Sequence, residues 1–234
     1  MLHADEAGWQ LRELVPGLFD PWGMFRRVQS DRALARRIGQ ALGGILAEQH
    51  AQIRREDVAG WLPDRLPWPE PSDQLREQLP RVVTDAGLLR VLERVLRHYE
   101  HQQQGSASSE RVLNHGDLGL HNVAFVPGTD EVAGVFDYDG AAWADRHQDF
   151  RYFLFPGAAD ESMLDGALEI YEPLLGLRLD RERIRLGNAA CAIGFLGYRC
   201  GTPPEADSCG RTLAEDLHWV SHALQGLGER WHGE

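Results

Sequence analysis

Asp117 and Asn122, five positions apart in "HGDLGLHN" (115–122), and Asp137 and Asp139 in "VFDYDG" (135–140) are the residues whose types can steer a hydroxyl and hold a hard cation. An ionised carboxylate accepts hydrogen bonds and orients or takes a proton. An amide oxygen beside a carboxylate supplies the oxygen donors that magnesium prefers. Each of these groups stands just past a short apolar run, where burial is costly unless a partner is found. Singly, Asp117 after a glycine is an ordinary turn residue and Asn122 an ordinary strand-edge residue, so the chemistry lies in their combination.

The elements that must position them are short. "NVAFV" (122–126) and "VAGVFD" (132–137) are β-branched and aromatic, and "PGTDE" between them is turn chemistry, which predicts a hairpin with a five-residue loop. If Val126 faces Val132, Asn122 faces Phe136, one step from Asp137; a one-residue shift puts Asn122 opposite Asp137 itself. In both registers amide and carboxylate meet at the open end, about 5 Å apart. Asp117 lies on a loop with Gly119, which can bend back toward the same end. Asp139 is an alternative ligand, because a strand shows alternate residues to one face.

Helices surround this element. Residues 31–51 carry Leu34, Ile38, Leu42, Ile45 and Leu46 at helical spacing behind Ser30 or Asp31 as N-cap. Gly43 and Gly44 read as packing glycines, since no strand precedes them as in a phosphate loop. Residues 61–71 hold four prolines and read as a loop. A second helix is expected near 84–103, ended by "QQQGSASSE" as a flexible connector, and three more near 160–175, 181–200 and 210–230.

Composition bounds the function. The 234 residues are 43% hydrophobic and 26% charged, enough for a full core. No apolar stretch reaches the roughly 18–20 residues of a membrane span and no leader is evident, so no membrane and a cytoplasmic address are expected. A net charge of −12 argues against a nucleic-acid polymer as partner. Cys191, Cys200 and Cys209 form no C-x-x-C and read as free thiols. All 24 basic side chains are arginine; the chain contains no lysine.

H-G-D, four residues and Asn, then a hairpin and an Asp, resembles the catalytic and metal-binding core of the aminoglycoside phosphotransferase family, relatives of the protein kinases. "FDYDGAAWADRHQDF" with Asp145 and Asp149, "ELVPG" (13–17) and "LAEQHA" (46–51) extend the resemblance over roughly residues 9–230. It implies an α+β, mainly helical fold: a protein-kinase-like C-terminal lobe with a catalytic β-hairpin over residues 26–234. Residues 1–25 would be a remnant of the N-terminal lobe and hinge. It further implies that Asp117 orients or accepts the proton of a substrate hydroxyl, and that His115 ties the catalytic loop to the strand carrying Asp137. Asn122 and Asp137 would hold the Mg2+ that bridges nucleotide phosphates, with Asp139 as a further candidate, while Asp145 and Asp149 would cap helix starts and hold the loop.

The implied activity is transfer of the γ-phosphoryl of ATP or GTP to a hydroxyl of a small molecule, such as an aminoglycoside-like antibiotic. Members of the family place a lysine-bearing β lobe before the hinge, whereas here the hinge-like segment begins at residue 13 and there is no lysine. The alternative is therefore a catalytically silent kinase-like module that binds a small molecule or a protein. An uncovered N-terminal segment would also self-associate, as a homodimer through residues 2–25 with Trp9, Phe19, Trp22 and Phe25 as anchors.

Overall fold

The computed structural model describes residues 3–4, 10–11, 15–18, 20–105, 107–157, 160–206 and 211–227. Along the chain run β1 (His3–Ala4), β2 (Gln10–Leu11), α1 (Pro21–Ser30), α2 (Arg32–Gln52), α3 (Ser72–Gln78), α4 (Ala86–Gly105) and β3 (Arg111–Asn114). Then follow β4 (Val123–Phe125), β5 (Val132–Val135), β6 (Ala142–Asp145), α5 (Ser162–Leu175), α6 (Arg181–Tyr198) and α7 (Leu213–Gly226). The fold is α+β and mainly helical, as the sequence indicates.

Of the two candidate caps, Asp31 starts α2, accepting the Leu34 N–H at 2.9 Å. The heaviest helix packing is α2 against α5. It depends on bare backbone at Gly43, where a Cβ would overlap the Ala167 carbonyl. Gly44 is a correction: only the Ile170 side chain approaches it, at 3.9 Å, so it is not a packing glycine. The connector is a second correction, since "QQQG" (102–105) continues α4 and only the residues beyond it leave the helix.

Two large apolar clusters result, beside a small one of Leu66, Ala142 and Ala144. One gathers α1, α2, α5 and the β4–β5 hairpin; the other gathers α3, α4, α6 and α7. Between them runs the extended 3-10 segment Arg146–Phe153, whose His147, Gln148, Asp149 and Arg151 are all buried.

At its open end the hairpin adopts the first of the two registers, although at the turn Phe125, not Val126, faces Val132. Val123 pairs with Val135 and Ala124 with Gly134, a bulge follows, and the Phe136 N–H donates to the Asn122 carbonyl at 3.1 Å. The shifted register, with Asn122 opposite Asp137, is not formed. A pairing unforeseen in the sequence is β3 with β6, Val112 opposite Ala144 and Asn114 opposite Ala142, which fixes the strand leading into His115. On the other side of the hairpin Leu18, the residue just past the hinge-like segment, exchanges backbone hydrogen bonds with Phe125 at 2.7 and 2.9 Å.

Of the aromatic anchors expected for self-association, Trp9 and Phe19 lie outside the described residues. Trp22 is exposed, and Phe25 packs inward, edge-on to Phe155 at 5.6 Å. Cys191 is buried and free, Cys200 is free and partly exposed, and Cys209 lies outside the described residues. No helix among the described residues is long and apolar enough to cross a membrane.

Candidate active site

The loop after β3 is locked from below. The Asp149 carboxylate accepts the His115 N–H through Oδ2 and the Gly116 N–H through Oδ1, both at 3.1 Å. Its Oδ2 also meets His50 Nε2 at 3.1 Å, and His50 Nδ1 lies 2.7 Å from the Tyr171 hydroxyl. His50 therefore donates from Nε2 and accepts at Nδ1. The Gly116 carbonyl accepts from Arg151, a fully buried guanidinium whose Nη1 donates to the Trp68 carbonyl at 3.0 Å. Gly116 itself has φ +82°, and a Cβ there would overlap the Gly140 carbonyl, so only glycine fits. Both backbone polar groups of Gly116 are thus held by buried charges, and Asp117 follows directly.

His115 joins this loop to the hairpin. Its Nδ1 accepts the Asp117 N–H at 3.3 Å, so Nε2 carries the proton and donates to the Phe136 carbonyl at 2.9 Å. The ring lies 4.3 Å from that of Tyr138, whose hydroxyl donates to Gln49 at 2.6 Å. Phe136 is consequently tied at both ends, by Asn122 through its N–H and by His115 through its carbonyl. The next residue, Asp137, adopts φ 65° and ψ 66°, a left-handed conformation uncommon outside glycine, and caps the short turn Tyr138–Gly140. Such a conformation persists only where the surroundings impose it, and it concentrates at functional sites.

Asn122 sits in the turn Leu120–Asn122 just before β4 and is buried. Its Nδ2 donates to the Asp117 carbonyl at 2.9 Å and to Asp117 Oδ2 at 3.3 Å, which leaves the amide oxygen as the end available to a cation. Asp137 and Asp139 are both solvent-exposed on the turn beyond β5. Among the described residues no cluster of three or more His, Cys, Asp or Glu side chains has metal-binding geometry. An ion here would thus rest on two protein oxygens, Asn122 and Asp137, completed by water and phosphate, a donor set that suits magnesium.

The Asp117 carboxylate also meets His121 Nε2 at 3.1 Å. Burial would raise its pKa, but the hydrogen bond and charge of His121, the charge of Arg151 and the Tyr152 hydroxyl outweigh it and hold Asp117 below the ordinary carboxylate range. At neutral pH the group is ionised and accepts hydrogen bonds. His121 is a partner the motif reading did not single out, although its position four residues after Asp117 was a signal. Arg151, Tyr152 and His50 carry no local signal, since their partners are remote in sequence. Asp145 and Asp149 stay away from solvent: Asp145 caps the segment that begins at Arg146, accepting the His147 N–H at 3.0 Å, and Asp149 supports the loop.

Comparison with known proteins follows this geometry. The model of a phosphotransferase enzyme family matches residues 14–186. A comparison with curated proteins finds no match. Among solved structures, the GDP and kanamycin complex of APH(2")-IIIa superposes with a TM-score of 0.59 at 19% identity, covering 92% of this chain and 68% of that one. A GDP-bound aminoglycoside 2'-phosphotransferase-IIIa mutant gives 0.57 at 19% identity, with 92% and 67% covered. An aminoglycoside 3'-phosphotransferase of type VIII gives 0.53 at 19% identity, with 79% and 67% covered. At these identities the likeness is one of fold, and the chain spans about two thirds of the length of these structures.

Proposed function

Because the chain belongs to the phosphotransferase enzyme family, we propose that it transfers the γ-phosphoryl group of ATP or GTP to a hydroxyl of a small molecule. The observation that supports this reading is the double tether of Phe136, the residue before Asp137, to Asn122 and His115, together with the bond from the Asn122 amide to Asp117. In this reading residues 26–234 form the lobe that carries catalytic loop and hairpin, and residues 1–25 belong to the lobe and hinge before it. The donor's triphosphate pool makes the cytoplasm the site of action.

Asp117 receives the acceptor hydroxyl as a hydrogen-bond donor and aims its oxygen at the γ-phosphorus. The new O–P bond forms as the bond to the β–γ bridging oxygen breaks, and ADP or GDP leaves with that electron pair. Since Asp117 is a weak base, its main work is orientation, with the proton passing to it late in the step. His115 and Asp149 keep the loop in register and touch no substrate. Magnesium bound at Asn122 and Asp137, with Asp139 as a further candidate, would neutralise charge on the phosphates.

The absence of lysine favours the second reading, a catalytically silent module that binds a small molecule or a protein, because no lysine is available to grip the donor's phosphates. The two separate on one experiment. The chain is incubated with Mg2+, ATP or GTP and a panel of hydroxyl acceptors, and product mass is read. A gained phosphoryl group that falls about 10²–10⁴-fold in rate in Asp117→Asn supports transfer. Saturable nucleotide binding with no phosphorylated product from any acceptor overturns it in favour of the silent module.

A further inference from the structure

The C-terminal end of α2 delivers two consecutive side chains to the candidate site, and they serve different parts of it. His50 meets the Asp149 carboxylate that holds the loop before Asp117, whereas Gln49 reaches the turn that follows Asp137. Gln49 Nε2 donates to the Leu113 carbonyl of β3 at 2.8 Å, and Gln49 Oε1 accepts the Tyr138 hydroxyl at 2.6 Å. Both ends of the amide are engaged, one by a carbonyl and the other by a hydroxyl, which fixes its orientation. Gln49 thereby joins the strand leading into His115 to the turn between the two candidate metal carboxylates.

Within that turn Asp137 and Asp139 are exposed and Gly140 has no side chain, whereas Tyr138 is partly buried, its ring 4.3 Å from that of His115. The Ala141 N–H closes the turn by donating to the Tyr138 carbonyl at 3.0 Å, and Gly140 backs onto Gly116, where a Cβ would overlap its carbonyl. A ring resting on a ring can tilt at small cost, because each dispersion contact is weak. A hydroxyl bonded at 2.6 Å to an amide that is itself tied to β3 cannot shift without losing a directional bond. The left-handed backbone of Asp137 needs surroundings that impose it, and this bond is made by the next residue in the chain.

We propose that Gln49 and the Tyr138 hydroxyl are positioning residues for the metal: together they form a strap that holds the turn in the orientation in which Asp137 and Asn122 share one ion. The proposal rests on the reading of Asn122 and Asp137 as magnesium ligands. The strap itself touches neither ion nor substrate. Its consequence is that one helix end governs both halves of the site, the loop before Asp117 through His50 and the metal turn through Gln49.

The test measures binding of Mn2+, a paramagnetic substitute for magnesium, to the full chain, alone and with ADP or GDP, by water-proton relaxation. Wild type is compared with Tyr138→Phe, Gln49→Leu and the double variant, and Asp137→Ala serves as the reference for loss of a ligand. Tyr138→Phe keeps the ring on His115 and removes only the hydroxyl. Mn2+ affinity is expected to fall about fivefold in each single variant, and the double variant to match Gln49→Leu, because both changes break the same bond. Urea unfolding run alongside gives the folded fraction, and a purely structural role would leave the Mn2+ affinity of that fraction unmoved. Tyr138→Phe, the milder change, decides the matter by itself should Gln49→Leu not fold. Mn2+ lost in Asp137→Ala but bound undiminished in Tyr138→Phe and Gln49→Leu overturns the strap and leaves the metal reading standing, as do losses that multiply in the double variant. Mn2+ bound equally by wild type and Asp137→Ala overturns the metal reading, and the strap with it.

Discussion

The α2–α5 helix pair and the seam of residues 145–151 pack against each other, yet opposite means hold them. The helix pair closes on apolar side chains and bare glycine backbone, with Leu42, Leu46, Leu164 and Ala167 essentially out of solvent. The seam buries His147, Asp149 and Arg151: Asp149 and Arg151 hold backbone groups of the loop they support, and His147 lies between the Asp145 carboxylate and the Asp180 N–H. Apolar packing tolerates small shifts at graded cost, whereas a buried charge without its partner is penalised at once. The chain therefore places its permissive packing in the body and its exacting contacts directly beneath Asp117.

That contrast is most severely tested at Asp149. Asp149→Ala strands two backbone N–H groups and His50, and is expected to cost about 3–5 kcal/mol in urea unfolding together with most of the transfer activity. A loss confined to activity would mean that the seam is not what holds the loop. Gly43→Ala tests the other region. It forces a Cβ into the Ala167 carbonyl and should cost roughly 1–3 kcal/mol while acceptor and nucleotide binding in the folded fraction stay unchanged. Calorimetric titration at a temperature well below the midpoint checks the second half of that statement.

Acid separates the regions further, because the seam's carboxylates are buried whereas Glu169, which pairs with Arg36 across the helix pair, lies in solvent. Burial would raise Asp145, but the hydrogen bond and charge of His147, the His147 N–H and the charge of Arg183 hold it at about 2 against an ordinary 3.8. A folded pKa below the unfolded one gives stability that is complete above about pH 4 and is lost as pH falls toward 2, about 2 kcal/mol in all. Asp145→Asn should flatten the dependence of unfolding free energy on pH in that window. An unchanged slope would contradict the assignment.

The two regions also differed in how far they could be read from sequence. Leu34, Ile38, Leu42 and Leu46 declare α2 by spacing, and the turn residues declare the hairpin, because both signals are local; its register stayed open between two, and a bulge with no local signal decides it. The β3–β6 pair was hidden, since "AWAD" directly follows a turn and is no more strand-like than its flanks. In the seam the capping part of Asp145 and the loop-holding part of Asp149 were expected from the resemblance, but their partners were not: His50 meets Asp149 across 99 residues and Arg151 meets Trp68 across 83, so no window contains both partners. The contact of Asn122 with Asp117 was legible because both lie within one short stretch of loop. His121 lay inside that stretch but has meaning only once the carboxylate's orientation is known. The misreading of Gly44 came from treating adjacent glycines alike, when helical geometry sets only Gly43 against the backbone of α5.

The central claim is that Asn122 and Asp137 form one oxygen site for magnesium, with nucleotide phosphates as its remaining ligands. Thermal unfolding of the wild-type chain and of Asp137→Ala, each with Mg2+ alone, GTP alone and both together, addresses it most directly. The account predicts a small rise with metal, a larger rise with metal and nucleotide together, and loss of the metal-dependent part in Asp137→Ala. Equal metal-dependent shifts in the two proteins would contradict it.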